Sequence, residues 1–196
     1  MPNLTQPDDW RRPALLQPDD LGATLHTLAA RLRARGWKMA CAESCTGGLI
    51  AALCTSLAGS SEWFERGFVT YSNEAKTELL GVPQALIRQH GAVSREVALA
   101  MVDGALRHSR AQLAAAVTGI AGPGGGSATK PVGTVWFGFA RAGTAPTLEA
   151  EVLHLPGDRA QVRAAAAQHA LMRLAALAGE PPPADGSRPA AEGGQV

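Results

Sequence analysis

Three short stretches of this chain carry residue types suited to attack on a carbonyl group. The first is AESCTGG at 42–48. Ser44 and Thr46 bring hydroxyls, and Gly47 and Gly48 allow a ligand to come close to the backbone. The stretch lies between two apolar runs, the pattern of a strand, a tight turn and a helix start. Unpaired amides at a helix start suit a phosphate or a developing oxyanion. The same spacing also fits a plainer role, in which Ser44 or Thr46 caps the helix and the glycines make the turn.

The second stretch is TYSNEAK at 70–76. A serine hydroxyl is a weak nucleophile until a base removes its proton. Lys76 can be that base where desolvation populates the neutral amine. Arginine cannot, because its guanidinium stays protonated. Of the 18 basic residues only Lys38, Lys76 and Lys130 are lysine, so lysine at 76 stands against a strong bias toward arginine. Tyr71 is the only tyrosine, and Asn73, two residues on, is the only asparagine beyond the N-terminal tail. The plainer role is an exposed helix lysine paired with Glu74 or Glu78.

The third stretch, VTGIAGPGGGS at 117–127, leaves another apolar run. Successive amides of such a loop can cradle an anion, with the Thr118 hydroxyl at the edge. The spacing is neither that of a Walker loop nor that of a dinucleotide fingerprint. A flexible surface loop is the alternative. Cys45 is a rival nucleophile, but no histidine stands at a strand end to activate it, and packing is its expected role. Cys41, Cys45 and Cys54 are an odd, clustered set that implies neither a disulfide framework nor a zinc site, so no metal is expected. His26, His90, His108 and His169 fall in or at the ends of helices and call for no more than structural roles.

These segments must be positioned by alternating strands and helices. Leu21, Leu25, Leu28, Ala29 and Leu32 repeat at helical spacing and stop at Gly36. Strands are expected at 37–43, 63–71, 112–119, 132–140 and 148–155, with a bulge suggested by Gly67. Helices are expected at 49–57, from the Ser72 cap to Gly81, at 83–90, from the Ser94 cap to 109, and from the Asp158 cap to 178. The order α, β, α, β, α, α, α, β, β, β, α argues for an α/β fold, a three-layer α/β/α sandwich around a mixed sheet.

The 196 residues suit one domain, expected at 19–178 between disordered tails at 1–18 and 179–196, both poor in apolar residues. A hydrophobic fraction of 46% supplies a core, and a net charge of +1 gives no field for binding a nucleic-acid backbone. No apolar run is long enough to cross a bilayer and no secretory signal is visible. A cytoplasmic protein with no membrane or nucleic-acid partner is therefore expected.

Taken in order, AESCTGG at 42–48, GSSEWFERGFVTYSNEAKTELLGV at 59–82, QHGAVS at 89–94, TGIAGPGGGS at 118–127 and KPVGTVWFGFA at 130–140 closely resemble the CinA C-terminal domain family. That family includes stand-alone nicotinamide-nucleotide amidases, and the likeness covers about residues 20–178. The resemblance implies deamidation of nicotinamide mononucleotide to nicotinate mononucleotide and ammonia, in pyridine-nucleotide salvage, without a cofactor. It implies Ser44 as nucleophile, Lys76 as general base, and Tyr71 and Asn73 as residues that arrange the site. Thr46, Thr118 and Gly119 would make oxyanion and substrate contacts, together with backbone at Gly47, Gly48 and Gly122. A short form lacking the larger members' extra domain, and a homodimer, are also implied. One departure is PGGG at 123–126, where family members often place an acidic residue after the proline. The alternatives are a nucleotide-binding module without hydrolysis and an interaction protein of competence or DNA damage.

Overall fold

The computed structural model describes residues 19–143 and 146–180. The elements are α1 (Asp19–Ala34), β1 (Met39–Glu43), α2 (Leu49–Thr55), β2 (Phe64–Val69), α3 (Asn73–Leu80), α4 (Gln84–His90), α5 (Arg95–Arg107), β3 (Leu113–Gly119), β4 (Thr134–Arg141), β5 (Thr147–His154) and α6 (Arg159–Gly179). A single 3-10 turn at Ser60–Glu62 precedes β2. Their order is the one the apolar periods imply. The expected tail at 1–18, and the expected tail at 179–196 from residue 181 onward, lie outside the described residues; residue 179 belongs to α6, which runs one residue past its expected end.

Polar side chains set several helix starts. Ser72 accepts from the N–H of Ala75, Ser94 from that of Val97, and Asp158 from that of Gln161, whose side chain returns a bond to the Asp158 N–H. These bonds satisfy amides that the first helical turn leaves open.

The five strands form one sheet in the order β2-β1-β3-β4-β5. β1 runs parallel to β2 and β3, while β4 runs antiparallel to β3 and β5, so the sheet is mixed. Alternation along the strands gives it two unlike faces. Met39, Cys41, Leu113, Val117, Phe137 and Phe139 fill the face covered by α1, α2 and α6. The opposite face presents Ala42, Ala114, Ala116 and Ala140 to α5. These small residues let α5 lie close: a Cβ on Gly138 would stand 2.5 Å from the Ala98 carbonyl oxygen. Alanine in these strands therefore serves helix–sheet approach, and the layers are those of an α/β/α sandwich.

Gly67 does not mark a bulge. The register of β1 on β2 shifts between Met39 and Ala40, whose partners are Phe64 and Arg66. A Cβ on Gly67 would instead meet the Ala51 Cβ at 3.0 Å and the Cys41 Sγ at 3.2 Å, so this glycine makes room for α2.

The topology fixes where a site can form. The connection leaving β1 carries α2 across one face, and the connection arriving at β3 carries α5 across the other. The adjacent carboxyl ends of β1 and β3 thus flank a crevice of the kind open α/β sheets use for ligands.

Candidate active site

Ser44 follows β1 directly. Its N–H donates to the Val117 carbonyl of β3 at 2.9 Å, and its own carbonyl accepts from Gly47 N–H at 3.1 Å, closing the turn. Gly47 and Gly48 have φ of +59° and +93°, a region that β-carbons disfavour, so the tight turn needs both glycines.

Glu43, the last residue of β1, is fully buried. Its carboxylate folds over the turn and accepts from the N–H groups of Gly48 (3.0 Å), Ile50 (3.0 Å) and Ala51 (2.9 Å), with the Cys41 thiol at 3.4 Å. The start of α2 therefore has a resident anion. This corrects the expectation that its amides stand open to a substrate phosphate or an oxyanion. Thr46 is buried behind the turn, and its carbonyl accepts from Arg163 Nη2 at 2.8 Å. Its hydroxyl has no partner among the described residues. Neither Thr46, Gly47 nor Gly48 lines the cleft described below.

Lys76 lies in the first turn of α3, and its side chain folds back toward the strand end. It is 1% exposed. Nζ is 3.0 Å from Ser44 Oγ and donates to the carbonyls of Thr70 (2.8 Å), Ser72 (3.4 Å) and Tyr71 (3.5 Å). No carboxylate forms an ion pair with it among the described residues. Burial lowers its pKa from the ordinary lysine value, with weaker opposing effects from Cys45 and Glu74. The exposed, ion-paired role for Lys76 is thereby excluded.

A cleft of ≈ 550 Å³ opens over this pair, lined by Ser44, Cys45, Tyr71, Asn73, Lys76 and Thr118 and bordered by Ala92, Val93, Gly119, Ala121 and Arg159. Tyr71 is 61% exposed at the rim, and its hydroxyl accepts from Arg159 Nη2 at 2.9 Å. Arg159 Nη1 donates to the Gly122 carbonyl at 2.9 Å, which ties the rim to the glycine loop. Thr118 is buried and donates its hydroxyl proton to the Ala92 carbonyl at 2.8 Å. Gly122 lines a neighbouring apolar groove of ≈ 880 Å³ that shares Ala121 and Arg159 with the cleft. A third hollow, ≈ 410 Å³ between α3 and α4, shares only Asn73.

Of the residues singled out from sequence, Ser44, Lys76, Tyr71, Asn73, Thr118 and Gly119 come together at one cleft. Glu43, Arg159 and Arg163 were missed. A carboxylate inside the apolar run before Ser44 was the available signal for Glu43. Arg159, one of many arginines, gave none. Cys45 borders the cleft, but burial pushes its thiol up to about 11, so it is a thiol and not a thiolate at neutral pH. No group of metal-binding residues occurs among the described residues, and no helix among them is long and apolar enough to cross a membrane.

Comparison with known proteins agrees with this architecture. The model of the CinA C-terminal domain matches residues 23–178. The nicotinamide-nucleotide amidohydrolase PncC of Enterobacter agglomerans is 55% identical over 145 residues, spanning 74% of this chain and 87% of that protein. The protein of the same name from Escherichia coli K12 is 53% identical over 143 residues, covering 73% and 86%. The solved structure of the competence/damage inducible protein CihA from Agrobacterium tumefaciens superposes with a TM-score of 0.78 at 44% identity, covering 83% of this chain and 98% of that one.

Proposed function

The chain belongs to the CinA C-terminal domain family, and on that premise we propose that it is a nicotinamide-nucleotide amidohydrolase, with Ser44 as nucleophile and Lys76 as base. The observation that carries the reading is the 3.0 Å approach of Lys76 Nζ to Ser44 Oγ inside the cleft.

A neutral Lys76 donates two protons to the surrounding carbonyls and accepts the Ser44 O–H with its lone pair. Burial of the amine without a carboxylate favours that state. Ser44 gives its proton to Lys76 as Oγ attacks the carboxamide carbon of nicotinamide mononucleotide. The resulting ammonium then protonates the departing nitrogen, and ammonia leaves. Water, losing its proton to Lys76, attacks the ester carbon and releases nicotinate mononucleotide with Ser44 restored.

The oxyanion needs donors other than those Glu43 holds. The N–H of Cys45 follows the nucleophile at the border of the cleft and has no oxygen acceptor among the described residues. It fills that role in this scheme, worth about 3 to 4 kcal/mol of barrier. Arg159 brings a cation to the cleft and faces the phosphate end of the substrate, with Tyr71 and Asn73 completing the wall. The reading extends to a cytoplasmic homodimer built from the unit at 19–178. Sedimentation at the mass of one chain would contradict the dimer.

Ammonia release from nicotinamide mononucleotide, measured with and without chelator for wild type and Ser44→Ala, tests the proposal. Chelator-insensitive release by wild type and none by the variant is expected. No release by wild type would contradict the amidase reading and favour a binding module.

A further inference from the structure

Glu43 reaches both members of the Ser44–Lys76 pair, and it does so by two routes. Its carboxylate binds three anchor points at the end of the nucleophile's turn and the start of α2, the N–H groups of Gly48, Ile50 and Ala51. Strand end and helix start are thereby joined into a closed ring with Ser44 inside it. Its backbone carbonyl accepts from Thr70 N–H at 2.8 Å, and the Thr70 carbonyl in turn accepts from Lys76 Nζ at 2.8 Å. Neighbouring strands fix the residue on both sides, through Val69 of β2 and Val117 of β3. A fully buried carboxylate is costly unless donors satisfy it. Here three amides and a thiol do so, and all of them lie within eight residues of the nucleophile.

We propose that Glu43 is a positioning residue of the amidase: its buried carboxylate holds the turn that aims Ser44 Oγ at Lys76 Nζ. The proposal rests on the reading of Ser44 and Lys76 as the reacting pair. Glu43 itself touches neither substrate nor the reacting atoms.

Glutamine at 43 keeps the shape and removes the fit. Both carboxylate oxygens accept from N–H groups, so either orientation of the amide sets an NH2 against a donor. Aspartate keeps the charge but is one methylene shorter and cannot reach all three amides. Cys41→Ala removes only the thiol and leaves the three amide bonds in place.

The test measures kcat and KM for nicotinamide mononucleotide well below each variant's Tm, together with the rate at which a fluorophosphonate labels Ser44, read by mass spectrometry with Ser44→Ala as the blank. For Glu43→Gln, kcat and the labelling rate are expected to fall together by about 10- to 100-fold, as for a misplacement on the order of an ångström, with KM nearly unchanged. Glu43→Asp should lie between it and wild type, and Cys41→Ala should label at the wild-type rate. If the glutamine variant does not fold, the aspartate variant decides by the same readouts. A folded Glu43→Gln or Glu43→Asp protein with wild-type kcat and wild-type labelling would overturn the positioning role. Wild-type protein whose Ser44 labels but which releases no ammonia would overturn the amidase reading alone, and the labelling ratios would still decide the role of Glu43.

Discussion

The ends of β1 and β3 flank the same cleft, yet they are built in opposite ways. After β1 the turn is pinned at short range, by the Glu43 carboxylate on three amides and by backbone bonds to the neighbouring strands, Ser44 N–H on Val117 and Thr70 N–H on Glu43. After β3 the glycine loop is held from outside, by Lys130 Nζ on the carbonyls of His90 (3.0 Å) and Val93 (2.7 Å) and by Arg159 on Gly122. A Cβ added at Gly124 would meet nothing within 4 Å. The first end carries the group that must meet a carbonyl carbon at one distance, and the end held by long cationic side chains shapes the space for the rest of the substrate. Changes at the first should act on kcat, and changes at the second on KM.

Lys76→Arg is the most severe challenge to that division. Guanidinium stays protonated at working pH, so loss of the base should reduce kcat by about 10²- to 10⁴-fold, nearly as much as Lys76→Ala. Ammonia release under saturating substrate measures it. The wild-type pH profile sharpens the same point. Burial lowers the Lys76 pKa, and only the neutral amine accepts the serine proton. The rate should therefore rise with pH along a limb centred below the ordinary lysine value, and fall as Lys76 protonates on the acid side. A profile that falls across that limb as pH rises would contradict a lysine base.

Arg159→Ala comes next. It removes the cation from the open side of the cleft, and a hydrogen bond to a charged group is worth about 1.5 to 3 kcal/mol, so KM should rise about 10- to 100-fold with a smaller change in kcat. Tyr71→Phe removes the hydroxyl that accepts from Arg159, and a steady-state KM raised about two- to tenfold is expected. Gly124→Ala should do least. Stability within about 0.5 kcal/mol of wild type is expected for a substitution that meets open space, and kcat and KM should stay within about twofold, the span of the same energy. A large kcat effect there would erase the contrast between the two ends.

Much of this arrangement was legible in the sequence because it rests on local signals. Ser72, Ser94 and Asp158 stand where helix starts need acceptors, and the periods of the apolar runs gave the element order. Ser44 and Lys76 were legible as chemistry, and their meeting was implied by family resemblance, since 32 residues of chain separate them. Glu43 was not legible as an anchor. Strand alternation assigns a residue to a face but does not show that a carboxylate bends over the next turn to occupy a helix start. Arg159 lies 88 residues from Tyr71, and only the packing of α6 beside the cleft brings them together. Gly67 misled for a related reason, because a strand glycine marks either a bulge or a close neighbour, and only the position of α2 decides between them.

In the proposed mechanism Ser44 takes the acyl group. Acid quench of wild-type protein mixed with nicotinamide mononucleotide, followed by peptide mass spectrometry, tests it most directly. A nicotinate-nucleotide ester is expected on the peptide bearing Ser44, absent in Ser44→Ala. An acyl group on Cys45, or turnover retained by Ser44→Ala, would contradict it.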